Sequence, residues 1–251
     1  PFKNWKRQLE RKGKLEELKP EKTLKRLRFE QKLPIRLSPR FSVEKAHAMQ
    51  LRLSEQVIRE DTLPDSVKYV AGVDVAYAKG TSIGAVAVLD FASLSLVESK
   101  VVRLKTRFPY IPTLLSFREI PPAYLAIKKL QTQPDVFLVD GQGIAHPYRL
   151  GFAAHLGLAI DRPTIGVAKS LLCGKVEPVG GQGWAPLTDG EEIIGAEVVT
   201  KPGTKPIYVS IGHRVSLRKA IDIVRNCTRA YRIPEPIRRA HMIAAKEKRK
   251  I

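Results

Sequence analysis

Two aspartates stand where the sequence leaves little room for charge. Asp140 ends the short apolar run Val136-Phe137-Leu138-Val139, bounded by Pro134 and Gly141, which reads as a strand buried on both faces. A glycine-rich turn, Gly141-Gln142-Gly143, follows, and then Pro147 at an expected helix start. Open α/β sheets place ligands and metals at such strand ends. The plainer alternative is that Asp140 caps the turn before that helix. Asp74 lies between Val73 and Val75 in what reads as a central strand. A carboxylate there is costly unless paired or metal-bound, or unless the strand is an edge strand and the side chain faces outward. If the strand of Asp74 lies beside the strand of Asp140, the two carboxylates meet. Such a pair suits a hard divalent cation, since Mg²⁺ takes one or two protein carboxylates together with water and substrate phosphate.

The charge balance says where that phosphate would come from. Among 251 residues, 44 Lys and Arg against 25 Asp and Glu give a net charge of +19. Such a field attracts polyanions, above all nucleic acid. Carboxylate pair and basic surface together favour metal-assisted phosphodiester cleavage. An ATPase would use a similar aspartate but needs a G-x-x-x-x-G-K-[ST] loop. The nearest candidate, Gly166-Val167-Ala168-Lys169-Ser170, lacks that spacing and follows the aspartate strand. A sugar-kinase or actin-like ATPase core, faintly echoed by Asp74 ahead of Gly80-Thr81, stays as a remote alternative. Cys173 and Cys227 are far apart, which argues against a disulfide framework or a zinc site. No run has the apolar length of a membrane span and the first residues lack a signal peptide's apolar core, so the expectation is a soluble, cytoplasmic protein without membrane contact.

Positioning the aspartates requires a sheet. Ser42 reads as an N-cap, and Ala46, Met49, Leu53 and Val57 recur at helical spacing up to Leu63-Pro64. Lys68 to Ala78, Ser82 to Asp90 and Leu96 to Leu104, joined by short turns, predict an antiparallel three-strand meander. A helical piece from Thr113, a break at Pro121-Pro122 and a helix over Ala123 to Leu130 come next. The strand to Asp140, a helix from Pro147 to about Leu158 and a strand over Pro163 to Ala168 make a parallel crossover. Val176 to Trp184 reads as a loop or hairpin, Glu192 to Thr200 and Pro206 to Ile211 as a strand pair, Ser216 as the cap of a helix, and Pro236 as the opening of a last helix. The expected architecture is one α/β domain over residues 41–251, a mixed sheet flanked by helices. Residues 1–40, with 14 Lys and Arg against 5 Asp and Glu, read as a basic extension that either grips phosphates nonspecifically or is merely solvated.

Several separated motifs resemble those of the endonuclease V family: Gly72-Val73-Asp74, Pro109-Tyr110-Ile111-Pro112, Phe117-Arg118-Glu119, Asp140-Gly141-Gln142-Gly143 with Ala145-His146-Pro147, Gly166 to Ser170, and Gly212-His213. The resemblance runs from about Phe41 to Ala245. It implies an RNase H-like mixed sheet, Mg²⁺ or Mn²⁺ as cofactor, and DNA containing deoxyinosine as substrate. Cleavage is implied at the second phosphodiester bond 3′ to the lesion, leaving 3′-hydroxyl and 5′-phosphate ends.

Carried over by residue, the resemblance makes Asp74 and Asp140 metal ligands and Glu119 a third acidic member. Lys169 leaves a strand end beside that of Asp140, where an ammonium orients the attacking water or offsets developing charge. His213 corresponds to an active-site histidine, and His146 to a residue of lesion recognition. Tyr110 corresponds to a wedge that enters the duplex as the base is extruded, held in an extended loop by Pro109 and Pro112 with Ile111 between. Gly141 and Gly143, lacking Cβ, would let main-chain N–H groups approach the flipped base. Each has a plainer alternative: Glu119 as a carboxylate near a helix N-terminus, the histidines as caps or packed side chains, Tyr110 as a ring under a rigid loop. The expectation is a monomer acting on DNA; inosine-containing RNA is the alternative substrate, and a catalytically inactive nucleic-acid-binding protein the alternative class.

Overall fold

The computed structural model describes residues 41–177 and 183–251. The basic extension 1–40 and the middle of the expected glycine-rich hairpin, 178–182, lie outside the described residues. Among the described residues, helix α1 (Val43–Ser54) precedes strands β1 (Tyr69–Ala78), β2 (Thr81–Asp90) and β3 (Leu96–Lys105). Then come α2 (Leu115–Ile127), β4 (Val136–Asp140), α3 (Phe152–Ile160) and β5 (Thr164–Ala168). The chain continues through β6 (Lys175–Val176), β7 (Trp184–Asp189), β8 (Glu192–Val198), β9 (Ile207–His213), α4 (Leu217–Asn226) and α5 (Glu235–Lys248).

The strands form one sheet in the order β3-β2-β1-β4-β5-β9-β8-β7-β6. β1, β2 and β3 pair antiparallel, as the meander pattern demands. β4 lies parallel to β1, and β5 parallel to β4 across the α3 crossover. The antiparallel start separates this sheet from an all-parallel dinucleotide-binding one and gives the mixed, RNase H-like architecture. Alternation along the strands divides the core between two faces. Val70, Leu89, Val136 and Leu138 point toward Ile221 and Val224 of α4 and Ile237 and Ala240 of α5. Ala71, Val73, Val86, Phe137 and Val139 point toward Ala123 and Ala126 of α2 and Phe152 and Leu156 of α3. No helix among the described residues is long and apolar enough to cross a membrane.

Four local departures from the sequence pattern have physical causes. α2 runs unbroken through Pro121 and Pro122. Its buried stripe, Ser116, Glu119, Pro122, Ala123 and Ala126, lies flat on β2, where Gly84 has no Cβ to collide with the Pro122 carbonyl. That packing outweighs the hydrogen bonds the prolines forgo. α1 is shorter than its apolar spacing suggests: Val57 lies beyond its end, Met49 is exposed and Gln50 is buried instead. α3 begins at Phe152, not at Pro147, because Arg149 adopts φ +52° and Gly151 forms an extended N-cap. β7 begins at the end of the stretch read as loop or hairpin and continues through residues given no element; its Pro186, which argues against a strand, is accommodated opposite Ala196 of β8.

Candidate active site

The parallel pairing of β1 with β4 runs in register to Val73 opposite Val139. That pairing ends there, and the next residues, Asp74 and Asp140, project their side chains side by side on the face that carries α4 and α5, each still within its strand. Asp140 Oδ2 accepts a 2.5 Å hydrogen bond from Lys169 Nζ, because β5 pairs with β4 and Lys169 is the first residue beyond it. Asp74 Oδ1 accepts the N–H of Val75 at 2.8 Å, and Oδ2 lies 2.8 Å from Nδ1 of His241 in α5. Asp74, Asp140 and His241 each offer a ligand atom within 4.8 Å of the others, one such group among the described residues. α5 comes this near because Gly72, two residues before Asp74, is bare. A Cβ there would stand 1.9 Å from the Pro236 carbonyl oxygen.

Burial, then the neighbouring Asp74, raises the pKa of Asp140, with Lys169 and His241 pulling the other way. Glu119, from α2 on the other side of the sheet, is pushed well above the usual carboxylate range by burial and then by Asp74 and Asp140. Glu119 is thus coupled to the pair but stands outside the 4.8 Å group. Two buried carboxylates and a partly exposed third, repelling one another, form a site that a divalent cation would relax. The donor set fits a hard cation held by Asp74 and Asp140; with its Nδ1–H donated to Asp74, His241 orients that carboxylate instead of competing for the ion.

The Pro109 to Pro112 segment lies between β3 and α2, and only part of it faces outward. Tyr110 is 48 % exposed, whereas Ile111, at 2 %, is an anchor driven into the core. Ile111 is therefore out of reach of a ligand. Gly143 also has another physical requirement: its N–H donates to Ser210 Oγ at 2.8 Å, and a Cβ would fall 1.9 Å from the Ile211 carbonyl oxygen. Its missing side chain lets the loop lie on β9, and its N–H is spent there. Gly141 is less confined, though a Cβ would stand 3.3 Å from the Phe152 side chain, closer than an ordinary contact, and its N–H donates to the Val167 carbonyl. His146 is buried, its pKa pressed down to about 3 by desolvation, and its Nδ1 accepts the N–H of Tyr148. It is a neutral packing element of the loop.

His213 is not brought to the carboxylates. It pairs with Thr164 at the start of β5, whereas Asp140 and Lys169 stand at the strands' other end. Its Nδ1 accepts the N–H of Ile58 and its Nε2 lies 3.6 Å from Asp161. The histidine that does reach the site, His241, was missed from sequence. It flanks the buried α5 stripe of Ile237, Ala240 and Ala244. The one sequence sign of its approach is Gly72 in an otherwise apolar strand.

A mixed RNase H-like sheet whose central strands bring two carboxylates together, on a strongly basic chain, defines a protein of the RNase H-like nuclease class. Residues 51–242 match the family model described as Endonuclease V. Endonuclease V of Thermofilum pendens is 49 % identical over 210 residues, 83 % of this chain and 90 % of that protein. The crystal structure of Endonuclease V from Streptomyces avermitilis superposes with a TM-score of 0.79 at 38 % identity, covering 86 % of this chain and 97 % of that one. Ciona intestinalis Endonuclease V, solved with a 24mer DNA containing an inosine followed by a ribo-adenosine, gives 0.74 at 33 % identity, over 83 % and 98 % of the two chains. The chain belongs to the endonuclease V family.

Proposed function

We propose that this protein is a divalent-metal-dependent endonuclease that recognises deoxyinosine in DNA and hydrolyses the second phosphodiester bond 3′ to it, leaving a 5′-phosphate, as a step of DNA repair. The observation that carries this reading is the meeting of Asp74 and Asp140 at one strand edge, with Lys169 on one carboxylate and His241 on the other. Asp74 and Asp140 would hold Mg²⁺, or Mn²⁺ in its place, with Glu119 as the third acid behind them. When bound, the cation would neutralise the scissile phosphate and strengthen water as a nucleophile.

The chain's own groups do the rest. His241 keeps the Asp74 carboxylate in one orientation. Lys169 holds a positive charge where negative charge develops on the phosphate and its leaving oxygen. Tyr110, outward on its proline-bounded loop, enters the duplex at the lesion. In this reading the protein acts as a monomer in the cytoplasm. A second reading, cleavage of inosine-containing RNA, is favoured by the ribo-adenosine that follows inosine in the ligand of the Ciona intestinalis relative.

The test is cleavage of matched single-stranded DNA and RNA oligonucleotides carrying one inosine, in Mg²⁺ and in EDTA, with the cut mapped. A metal-dependent cut at the second bond 3′ to inosine, faster on DNA, supports the repair reading; faster RNA cutting shifts the role to inosine-RNA turnover. Tight binding without cleavage of either would make the protein an inactive binder.

A further inference from the structure

Thr113 closes the Tyr110 loop just before α2, at φ +70°. This left-handed conformation is unusual for a β-branched residue. Two side chains of α1 hold it from outside the loop. His47 Nε2 lies 2.8 Å from Thr113 Oγ1, and Gln50 Nε2 donates to the Thr113 carbonyl at 2.8 Å. The Thr113 hydroxyl gives its own hydrogen to the Pro112 carbonyl, so the His47 nitrogen is the donor.

The same two residues reach the loop that leaves Asp140. The His47 ring stacks on Tyr148, centroids 4.0 Å apart and planes 15° from parallel. Gln50 Nε2 also donates to the Leu150 carbonyl at 3.2 Å, from a fully buried position. One turn of α1 therefore ties the segment bearing Tyr110 to the segment bearing Gly141, His146 and Tyr148. Both residues precede the span matched by the family model, which begins at residue 51.

We propose that His47 and Gln50 are positioning residues that fix the distance between Tyr110 and the loop after Asp140, and thereby set discrimination for the lesion. Neither needs to touch substrate. This inference rests on the reading of Tyr110 as the residue that enters the duplex.

The experiment measures kcat and KM in Mg²⁺ on a duplex with one inosine, and binding in EDTA to that duplex and its undamaged match. The variants are His47→Phe, which keeps the stack but loses the donor, His47→Gln, which keeps a donor, Gln50→Met, and Tyr110→Ala alone and combined with His47→Phe. His47→Phe and Gln50→Met should raise KM and weaken inosine-specific binding roughly fivefold to tenfold, the range of one lost hydrogen bond, with kcat unchanged. His47→Gln should stay within about twofold of the parent, and His47→Phe should add nothing in the Tyr110→Ala background. If Tyr110→Ala itself leaves discrimination intact, the reading of Tyr110 falls and takes this inference with it. If Tyr110→Ala loses discrimination while His47→Phe and Gln50→Met keep it, or if the losses simply multiply, the wedge stands and the role of α1 is overturned.

Discussion

The central strands carry an aspartate, a histidine and a cationic side chain at each end, and the two sets differ in how complete they are. At the end formed by the start of β5, Arg214 donates to Asp161 at 2.9 Å, His213 stands 3.6 Å from the same carboxylate, and Arg214, then His213, holds the Asp161 pKa below the usual range. That set balances itself and faces solvent through Asp161. At the other end, the pKa values of Asp140 and Glu119 are driven upward by burial and then by the neighbouring Asp74, with Asp140 adding to the shift of Glu119. Residue types alone do not separate the two ends. The direction in which the carboxylates are shifted does, because it reports whether the charges present already satisfy one another.

The strongest way to break this comparison is to neutralise one carboxylate at each end. Asp140→Asn should lower kcat on inosine DNA by at least ~10³-fold, the scale of lost metal or electrostatic catalysis, while binding in EDTA persists. Asp161→Asn should leave kcat within about twofold, since it removes only an exposed ion pair. Lys169→Met should fall between, lowering kcat by roughly 10–100-fold with little change in KM, as expected for charge felt in the transition state. Equal effects of Asp140→Asn and Asp161→Asn in rate assays would erase the distinction.

Stability offers a readout that does not depend on cleavage. Mg²⁺ should raise the thermal midpoint of the parent protein by mass action and leave that of Asp140→Asn unmoved. Without metal, Glu119→Gln should melt higher than the parent, because it removes one of the mutually repelling buried charges. A parent midpoint indifferent to Mg²⁺ in calorimetry would deny the open end its cation.

The smallest effect is an acid dependence belonging to neither end. Burial lowers His146 to about 3 and His155 to about 4, from an ordinary 6.5. Below 6.5 the unfolded chain binds protons that these folded histidines refuse, so stability falls as pH drops, by about 1.4 kcal/mol per pH unit for each such group. The loss should run from near pH 6.5 down toward 4 for His155 and 3 for His146. In denaturant titrations at successive pH values, His155→Phe should flatten the slope; an unchanged slope would place the acid sensitivity elsewhere.

What could be seen in the sequence followed from local pattern. The meander, the buried run ending at Asp140 and the caps Ser42 and Ser216 were legible because turns, strand alternation and side-chain capping act over a few residues. The adjacency of Asp74 and Asp140 was legible because crossover rules allow few partners for a strand. His241 was not, since its partner lies 167 residues away and nothing in a basic terminal helix marks which turn meets the sheet. His213 looked like a site histidine because a strand-end histidine has the same sequence signature at either end of a strand. Gly143 looked like an opening for ligand where β9 takes the space, and Pro121-Pro122 looked like a break where tertiary packing on Gly84 holds the helix together.

The seat that Gly72 makes for α5 has a consequence in time. The helix closing one face of the core also delivers His241, and it is among the last parts of the described chain to be made. A nascent chain that has already formed β1 and β4 carries both aspartates but neither the helix over Gly72 nor the imidazole that fixes Asp74. Completion of the carboxylate site therefore waits until α5 has been made. A polypeptide truncated before α5 would leave apolar β1 and β2 uncovered and be a poor substrate for folding before it could become a loose nuclease.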